Sequence, residues 1–248
     1  MKTLLLIVLG MLVASCRLDN LLHQPGGSPP PSASRSLRLV FTVQPTNATA
    51  GQPIAPSVQV TAQDQNGATA TSFASQVTLA IGTNPAGGTL SGSAAVPAVN
   101  GVATFSDLGI DRAASGYTLT AAASSLSTAQ STAFDVVPGP ATQLAFTTQP
   151  SRTAPGSPIT PPVRITALDA LGNKATNFTG VVRVTLGHDG SPLGNAQLSG
   201  STTAAVSDGV ATFADLRIEQ IGTGYTLKAA FGTASPIVES APFDVAVL

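Results

Sequence analysis

The chain predicts an all-β protein made of two tandem antiparallel β-sandwiches, preceded by a short apolar leader and an unfolded tether. Three observations predict it. First, the decapeptide GVATFSDLGI at 101–110 returns as GVATFADLRI at 209–218, and the match extends over most of both halves of the chain. Second, the repeated segments alternate apolar and polar residues with period two, as half-buried strands do. Third, Thr and Val, which favour strands, are interleaved with 24 Gly and 19 Pro, which punctuate them.

The leader comes first. MKTLLLIVLGMLVASC carries Lys2 ahead of an apolar run from Leu4 to Ala14. That run is far shorter than the roughly 20 residues a spanning helix needs, so residues 1–15 read as a signal peptide. Its end, Val13-Ala14-Ser15-Cys16, resembles the lipobox of bacterial lipoprotein precursors. The resemblance implies cleavage before Cys16, diacylglycerol on its sulfur and an acylated amino terminus. Cys16 is the single cysteine, so an internal disulfide is excluded. Arg17, rather than Asp, follows it, which by that family's sorting rule implies the outer membrane where the cell is Gram-negative. Residues 16–37 then form a lipid-anchored tether rich in Pro, Ser and Gly, including Pro29, Pro30 and Pro31, with too little apolar surface to fold.

The first repeat is expected over 38–138 and the second over 139–248. LVFTVQP at 39–45 matches LAFTTQP at 144–150, and GQPIAPSVQVTAQDQNG at 51–67 matches GSPITPPVRITALDALG at 156–172. The offset is 105 up to Gly82/Gly187 and 108 from Leu90/Leu198, so the second copy carries three extra residues in HDGSPLGNAQ. A period near 100 residues is too long for a solenoid unit and suits a domain with its own core. In the first copy Leu39, Phe41 and Val43 are expected inward and Thr42 and Gln44 outward. Val58, Val60 and Ala62 alternate with Gln59 and Thr61 and stop at the turn Asp64-Gln65-Asn66-Gly67. Val77, Leu79 and Ile81 alternate with Thr78 and Ala80, Tyr117, Leu119 and Ala121 with Thr118 and Thr120, and Phe134 and Val136 close the copy. About seven strands per copy are expected. The linker VVPGPATQ at 136–143, stiffened by Pro138 and Pro140, predicts a short semi-rigid joint and an end-to-end arrangement.

Each copy has to build its core without tryptophan. Four phenylalanine pairs recur, Phe41/Phe146, Phe73/Phe178, Phe105/Phe213 and Phe134/Phe243, with one tyrosine pair, Tyr117/Tyr225. Tyr117 stands two residues before Leu119, the spacing of the tyrosine corner of immunoglobulin-type sandwiches, with Leu119 and Leu227 in the place of a cysteine. A structural role for both tyrosines is expected, with ligand stacking as the alternative.

TAQDQNGA and TALDALGNK, each followed by a Val-rich strand, NGVATF or DGVATF, and GYTLTA or GYTLKA, resemble the bacterial immunoglobulin-like repeats of invasin and intimin. The resemblance covers nearly all of 38–248 and implies immunoglobulin-like sandwiches of a cell-surface protein, stacked as rods. In that family the receptor-binding tip is a separate domain, so receptor binding is not carried over to these residues.

Reactive groups are few. Charged residues make up 9% of the chain against about 25% in an average domain, the net charge is −1, and no Lys/Arg stripe speaks for nucleic acid. No nucleophile elbow, phosphate loop or HExxH occurs. The two histidines are His23 in the tether and His188 in the inserted loop, and neither has the company a general base needs. Asp64-Gln65-Asn66-Gly67 resembles the start of an EF-hand loop, but Ser75 occupies the position of its last ligand. Asp64 and Asp169 are therefore expected to cap turns, as are Asp107 and Asp215. No catalytic residue, metal site or cofactor is expected. Asn47-Ala48-Thr49 and Asn177-Phe178-Thr179 match the glycosylation pattern, which in a bacterial lipoprotein reads as chance. Phe231, whose match in the first copy is Ala123, is the one aromatic outside the repeated core and the best single candidate for a partner contact. The expected function is a lipid-anchored adhesion or spacer module at the cell surface. The alternative is an accessory lipoprotein that binds carbohydrate or protein. A hydrolase is disfavoured for want of a catalytic constellation.

Overall fold

The computed structural model describes residues 36–231 and 234–247. Cys16, His23, the leader and the tether up to residue 35 lie outside the described residues. Among the described residues every regular element is a strand, and no helix is long and apolar enough to cross a membrane.

In the first repeat Arg38–Val43, Val58–Gln63 and Val102–Phe105 form a three-stranded antiparallel sheet. Ala129–Gln130, Leu119–Ala123, Gln76–Ile81 and Ala95–Pro97 form a four-stranded one. Phe134–Val137 pairs antiparallel with Ala114–Tyr117 and parallel with the short Ala48–Thr49. The second repeat copies this plan. Gln143–Thr148, Val163–Leu168 and Val210–Phe213 make its three-stranded sheet. Thr203–Ala205, Val181–Leu186, Leu227–Phe231 and Ala234–Glu239 make its four-stranded sheet. Gly222–Tyr225 pairs with Phe243–Val245, and a single parallel bridge, Thr153 to Val245, replaces the Ala48–Thr49 ribbon. The fold is thus a pair of β-sandwiches.

Inward residues of each strand set meet in a core of their own. One cluster runs from Leu39 to Val136 and the other from Leu144 to Val245. Phe105 and Phe213 lie 1% exposed and Tyr117, Tyr225, Leu119 and Leu227 are fully buried, so both copies use the same large side chains. At about 1.5–3 kcal/mol per fully buried large side chain, these residues dominate the stability of a core that lacks tryptophan. Phe73 and Phe178 sit at the margin, only half-buried.

The period-two expectation fails at Val43, Thr61 and Thr118, each with a local cause, and at the strand end Ile81, which is half-buried. A bulge between Phe41 and Val43 shifts the register, so Val43 is only half-buried; the same bulge recurs between Phe146 and Thr148. Thr61, expected outward, is buried with its hydroxyl 2.8 Å from that of Thr42. Thr118 is buried as well, and its Oγ1 accepts from the Thr83 amide at 2.8 Å and from Gln130 Nε2 at 3.0 Å.

Two glycines hold matched turns. Gly92 and Gly200 have φ of +90° and +94°, and a Cβ on either would run into the backbone carbonyl of Asp107 or Asp215. Beside them Asp107 accepts from the amide (3.0 Å) and hydroxyl (2.9 Å) of Ser93, and Asp215 accepts from both groups of Ser201 at 2.9 Å. These bonds hold both carboxyls below the usual range. Gly200→Ala combines positive-φ strain with a backbone clash. It is expected to cost about 1–3 kcal/mol, read as a lowered urea midpoint for the second repeat alone.

Candidate functional site

The most constructed polar site lies where the two repeats meet. It is built on the turn that ends the strand Val163–Leu168. Gly172 takes φ of +80°, and Asp169 reaches forward over the turn, its Oδ1 accepting from the amides of Leu171 (2.9 Å) and Asn173 (2.8 Å). This is an Asx turn, which an Asp whose side chain accepts from the backbone two residues on, with Gly at the positive-φ position, favours. Its other oxygen, Oδ2, accepts from Asn173 Nδ2 at 3.0 Å and from the amide of Gly139, in the linker, at 3.0 Å. One carboxylate therefore binds four N–H donors, and Asp169 is only 2% exposed.

Asn173 carries the contact on to the first repeat. Its Nδ2 donates to the carbonyl of Asp111 at 2.9 Å, and its Oδ1 accepts from the amide of Ala113 at 3.0 Å. These two backbone groups flank Arg112, whose carbonyl accepts from the Tyr117 hydroxyl at 2.9 Å. The corner tyrosine thus sets the loop that Asn173 grips. Asn177 Nδ2 adds a bond to the Pro138 carbonyl at 3.2 Å, and the Thr142 amide donates to Leu168 O at 2.8 Å. Leu171 lies over Gly51, where an added Cβ would stand 2.8 Å from its Cδ1. Hydrogen bonds to the linker and to the Asp111–Ala113 loop, with the contact of the 44% exposed Leu171 at Gly51, meet the same turn from different sides. The turn after Leu168 thus contacts both the linker and the first repeat.

The matched turn of the first repeat is built alike, but among the described residues its side chains make no hydrogen bond outside the turn. Asp64 Oδ1 accepts from the amides of Asn66 (2.9 Å) and Ala68 (3.0 Å) and lies at an exposed margin. Ala68 stands where the second copy has Asn173, and Gln65-Asn66 where it has Ala170-Leu171.

Electrostatics fit the roles. Burial pushes the Asp169 carboxyl up, but the bonds from Asn173, Gly139 and Leu171 outweigh it and hold it below the ordinary value. A carboxyl lowered in the folded state stabilises above its unfolded pKa, about 3.9, and that contribution is lost as pH falls through the folded value. The thermal midpoint of the second repeat is expected to hold between about pH 7 and 5 and to fall below about pH 4. Asp169→Asn should make that fall shallower; an unchanged acid limb would contradict the role. Burial, then Asp111, raises the Tyr117 hydroxyl, and burial, then Asp189, raises that of Tyr225, so both remain donors at neutral pH.

The other sequence candidates are placed as follows. Tyr225 donates to the Gln220 carbonyl at 2.9 Å, as Tyr117 does to Arg112. The rings of Tyr117 and Phe134 lie 6.2 Å apart and those of Tyr225 and Phe243 6.0 Å apart. Phe231 is half-buried and its ring lies 4.7 Å from that of Phe178, so part of it is committed to packing. His188 is exposed, and its amide donates to Thr226 Oγ1 at 2.6 Å. Asp189 holds the inserted loop through the amides of Ser191 and Ala196, both at 2.9 Å. Among the described residues no group of three or more His, Cys, Asp or Glu is placed to hold a metal. Both asparagines of the glycosylation pattern are engaged: Asn47 Oδ1 accepts from the Asp135 amide at 2.8 Å, and Asn177 belongs to the joint. Asn173 was not singled out by sequence reasoning. Its signal is the change from Ala68 to Asn173, the one apolar-to-polar replacement in a turn that keeps Asp64/Asp169 and Gly67/Gly172 but otherwise exchanges polar residues for apolar ones.

No family model matches the chain, and no curated protein matches it. Solved structures similar to it include domains 4–9 of the surface layer protein SbsC, at 20% identity and TM-score 0.29, covering 84% of this chain and 31% of that one. The Protocadherin GammaB4 extracellular domain is 14% identical with TM-score 0.34, over 87% of this chain and 33% of that one. A glycosyl hydrolase family 2 member from Bacteroides cellulosilyticus is 11% identical with TM-score 0.34, over 77% and 24%. The chain spans about a third or less of the length of each, and no part of the site's chemistry rests on these likenesses.

Proposed function

We propose that the chain is a lipid-anchored module of the bacterial cell envelope, a stiff pair of immunoglobulin-like sandwiches that spaces or presents contacts at the cell surface. The observation that carries this reading is the joint. A buried Asp169 and a bridging Asn173 tie the linker and the Asp111–Ala113 loop to the second repeat, an investment suited to holding a distance and a direction. The leader ending in Cys16 and the Pro-rich tether supply the anchor and the reach. The test uses the full chain in a Gram-negative host. Labelled palmitate should enter the wild type and not Cys16→Ser, and protease added to intact cells should remove the repeats. A chain that takes no lipid, or that stays protected while a surface control is cut, overturns the reading.

The half-exposed Phe178–Phe231 pair, which the first repeat lacks because Ala123 replaces Phe231, favours a second reading as a carbohydrate- or protein-binding accessory lipoprotein. A glycan array probed with the wild type and with Phe231→Ala decides it, and no signal from either form removes the glycan arm.

A further inference from the structure

The joint uses one pole of the first repeat, and among the described residues nothing covers the same pole of the second repeat. The two backbone groups gripped by Asn173, Asp111 O and Ala113 N, correspond to Glu219 O and Ile221 N. The corner that presents them is reproduced: Tyr225 donates to Gln220 O at 2.9 Å, as Tyr117 donates to Arg112 O. Glu219 O and Ile221 N have no partner among the described residues. Gln220 Oε1, in the same loop, is a buried acceptor that also lacks one among the described residues. Two positions that the joint covers in the first repeat are larger, apolar and exposed in the second, whereas Gly156, which matches the Leu171 seat Gly51, lies against the exposed Glu219 carboxylate, which has to swing aside for an apolar residue to enter. Half-buried Ala113 becomes Ile221, 53% exposed, and buried Pro138 becomes Val247, 72% exposed. The inserted loop reaches this pole too, since the Thr223 amide donates to Gly190 O at 3.1 Å, and it adds Leu193, 83% exposed.

We infer that this pole, formed by the Glu219–Gly222 loop, Val247 and the inserted loop, receives a further β-sandwich whose capping turn reads Asp-x-x-Gly-Asn. The occupant is specified by the interface that already covers the matching pole. Its asparagine amide bonds Glu219 O and Ile221 N together, and the two residues between its Asp and Gly are small or apolar, as Ala170 and Leu171 are. A second copy of this chain docking by its first repeat does not meet that description, because Ala68 has no amide and Gln65-Asn66 replace the apolar pair. The inference stands on the joint's geometry and is independent of the lipid anchor.

The test extends the full chain. A second copy of residues 139–248 is fused directly after Val247, in place of Leu248, so that Gly139 of the copy follows Val247 as Gly139 follows Pro138, with spin labels on the second and the appended repeats. The distance distribution between those labels is expected to be as narrow as that between labels on the first two repeats. Asn173→Ala in the appended copy alone is expected to broaden it at least twofold, with hydrogen-exchange protection of that copy's core strands retained. A fusion of residues 34–138 instead should give the broad distribution, and Ala68→Asn combined with Gln65→Ala and Asn66→Leu within it should narrow it. A broad distribution for the appended 139–248 copy with its core strands protected, or a narrow one indifferent to Asn173→Ala, overturns the inference. If the 34–138 fusion docks as tightly as the 139–248 fusion, the pole accepts any sandwich end and the stated recognition is wrong.

Discussion

Phe213→Ala is expected to unfold the second repeat and leave the first standing. Phe213 is 1% exposed in the cluster that runs from Leu144 to Val245, and none of that cluster's buried members comes from the first repeat. Removing a buried phenylalanine ring costs about 3–5 kcal/mol, from lost transfer energy and from the cavity left behind. A small domain is stable by about 5–15 kcal/mol, so the loss takes between about a fifth and all of the margin of one sandwich, and the variant is read in urea just below the wild-type midpoint. Hydrogen exchange read by mass spectrometry should show protection lost between residues 143 and 245 and kept between 38 and 137. Phe105→Ala should give the mirror result, because Phe105 fills the same place in the other cluster. Joint loss of protection in both repeats from either substitution would mean one shared core and would sink the two-sandwich account.

The second large effect is at the joint. Asp169→Ala leaves four N–H groups without their acceptor, those of Leu171, Asn173 backbone, Asn173 side chain and Gly139. Each unsatisfied buried donor costs about 1–3 kcal/mol, and part is recovered where water enters the loosened turn, so a net loss of about 2–4 kcal/mol is expected from the second repeat. Asp64→Ala is the internal control. Its carboxylate holds two amides at an exposed margin, where water replaces it, and about 0.5–1.5 kcal/mol is expected. Urea midpoints of the two variants, read repeat by repeat, check the contrast. Equal costs would show that burial at the joint adds nothing to a turn-capping aspartate.

Much of this fold was legible in the chain because it is spelled twice. The matched pairs Phe105/Phe213 and Tyr117/Tyr225 marked core positions before any coordinates, since two copies that drift elsewhere keep the side chains their interiors need. Period two located the strands, and it failed where a bulge re-aimed Val43 and where the hydroxyl pair Thr42–Thr61 allowed a polar residue to be covered. The joint was harder to read. Asp64 and Asp169 look alike as letters, and both cap their turns, yet only Asp169 is sealed beneath a neighbouring sandwich. That difference depends on which pole faces the linker, a tertiary fact that local pattern does not carry. Asn173 and Gly51 therefore emerge only when the two repeats are set against each other.

The central claim is that the two sandwiches are held as one oriented pair by Asp169 and Asn173. Residual dipolar couplings measured separately for the two repeats test it most directly. One alignment tensor should describe both repeats of the wild type, and Asn173→Ala should split it into two tensors of unequal magnitude while each sandwich stays folded. Two different tensors in the wild type, or a single tensor that survives Asn173→Ala unchanged, would contradict the claim.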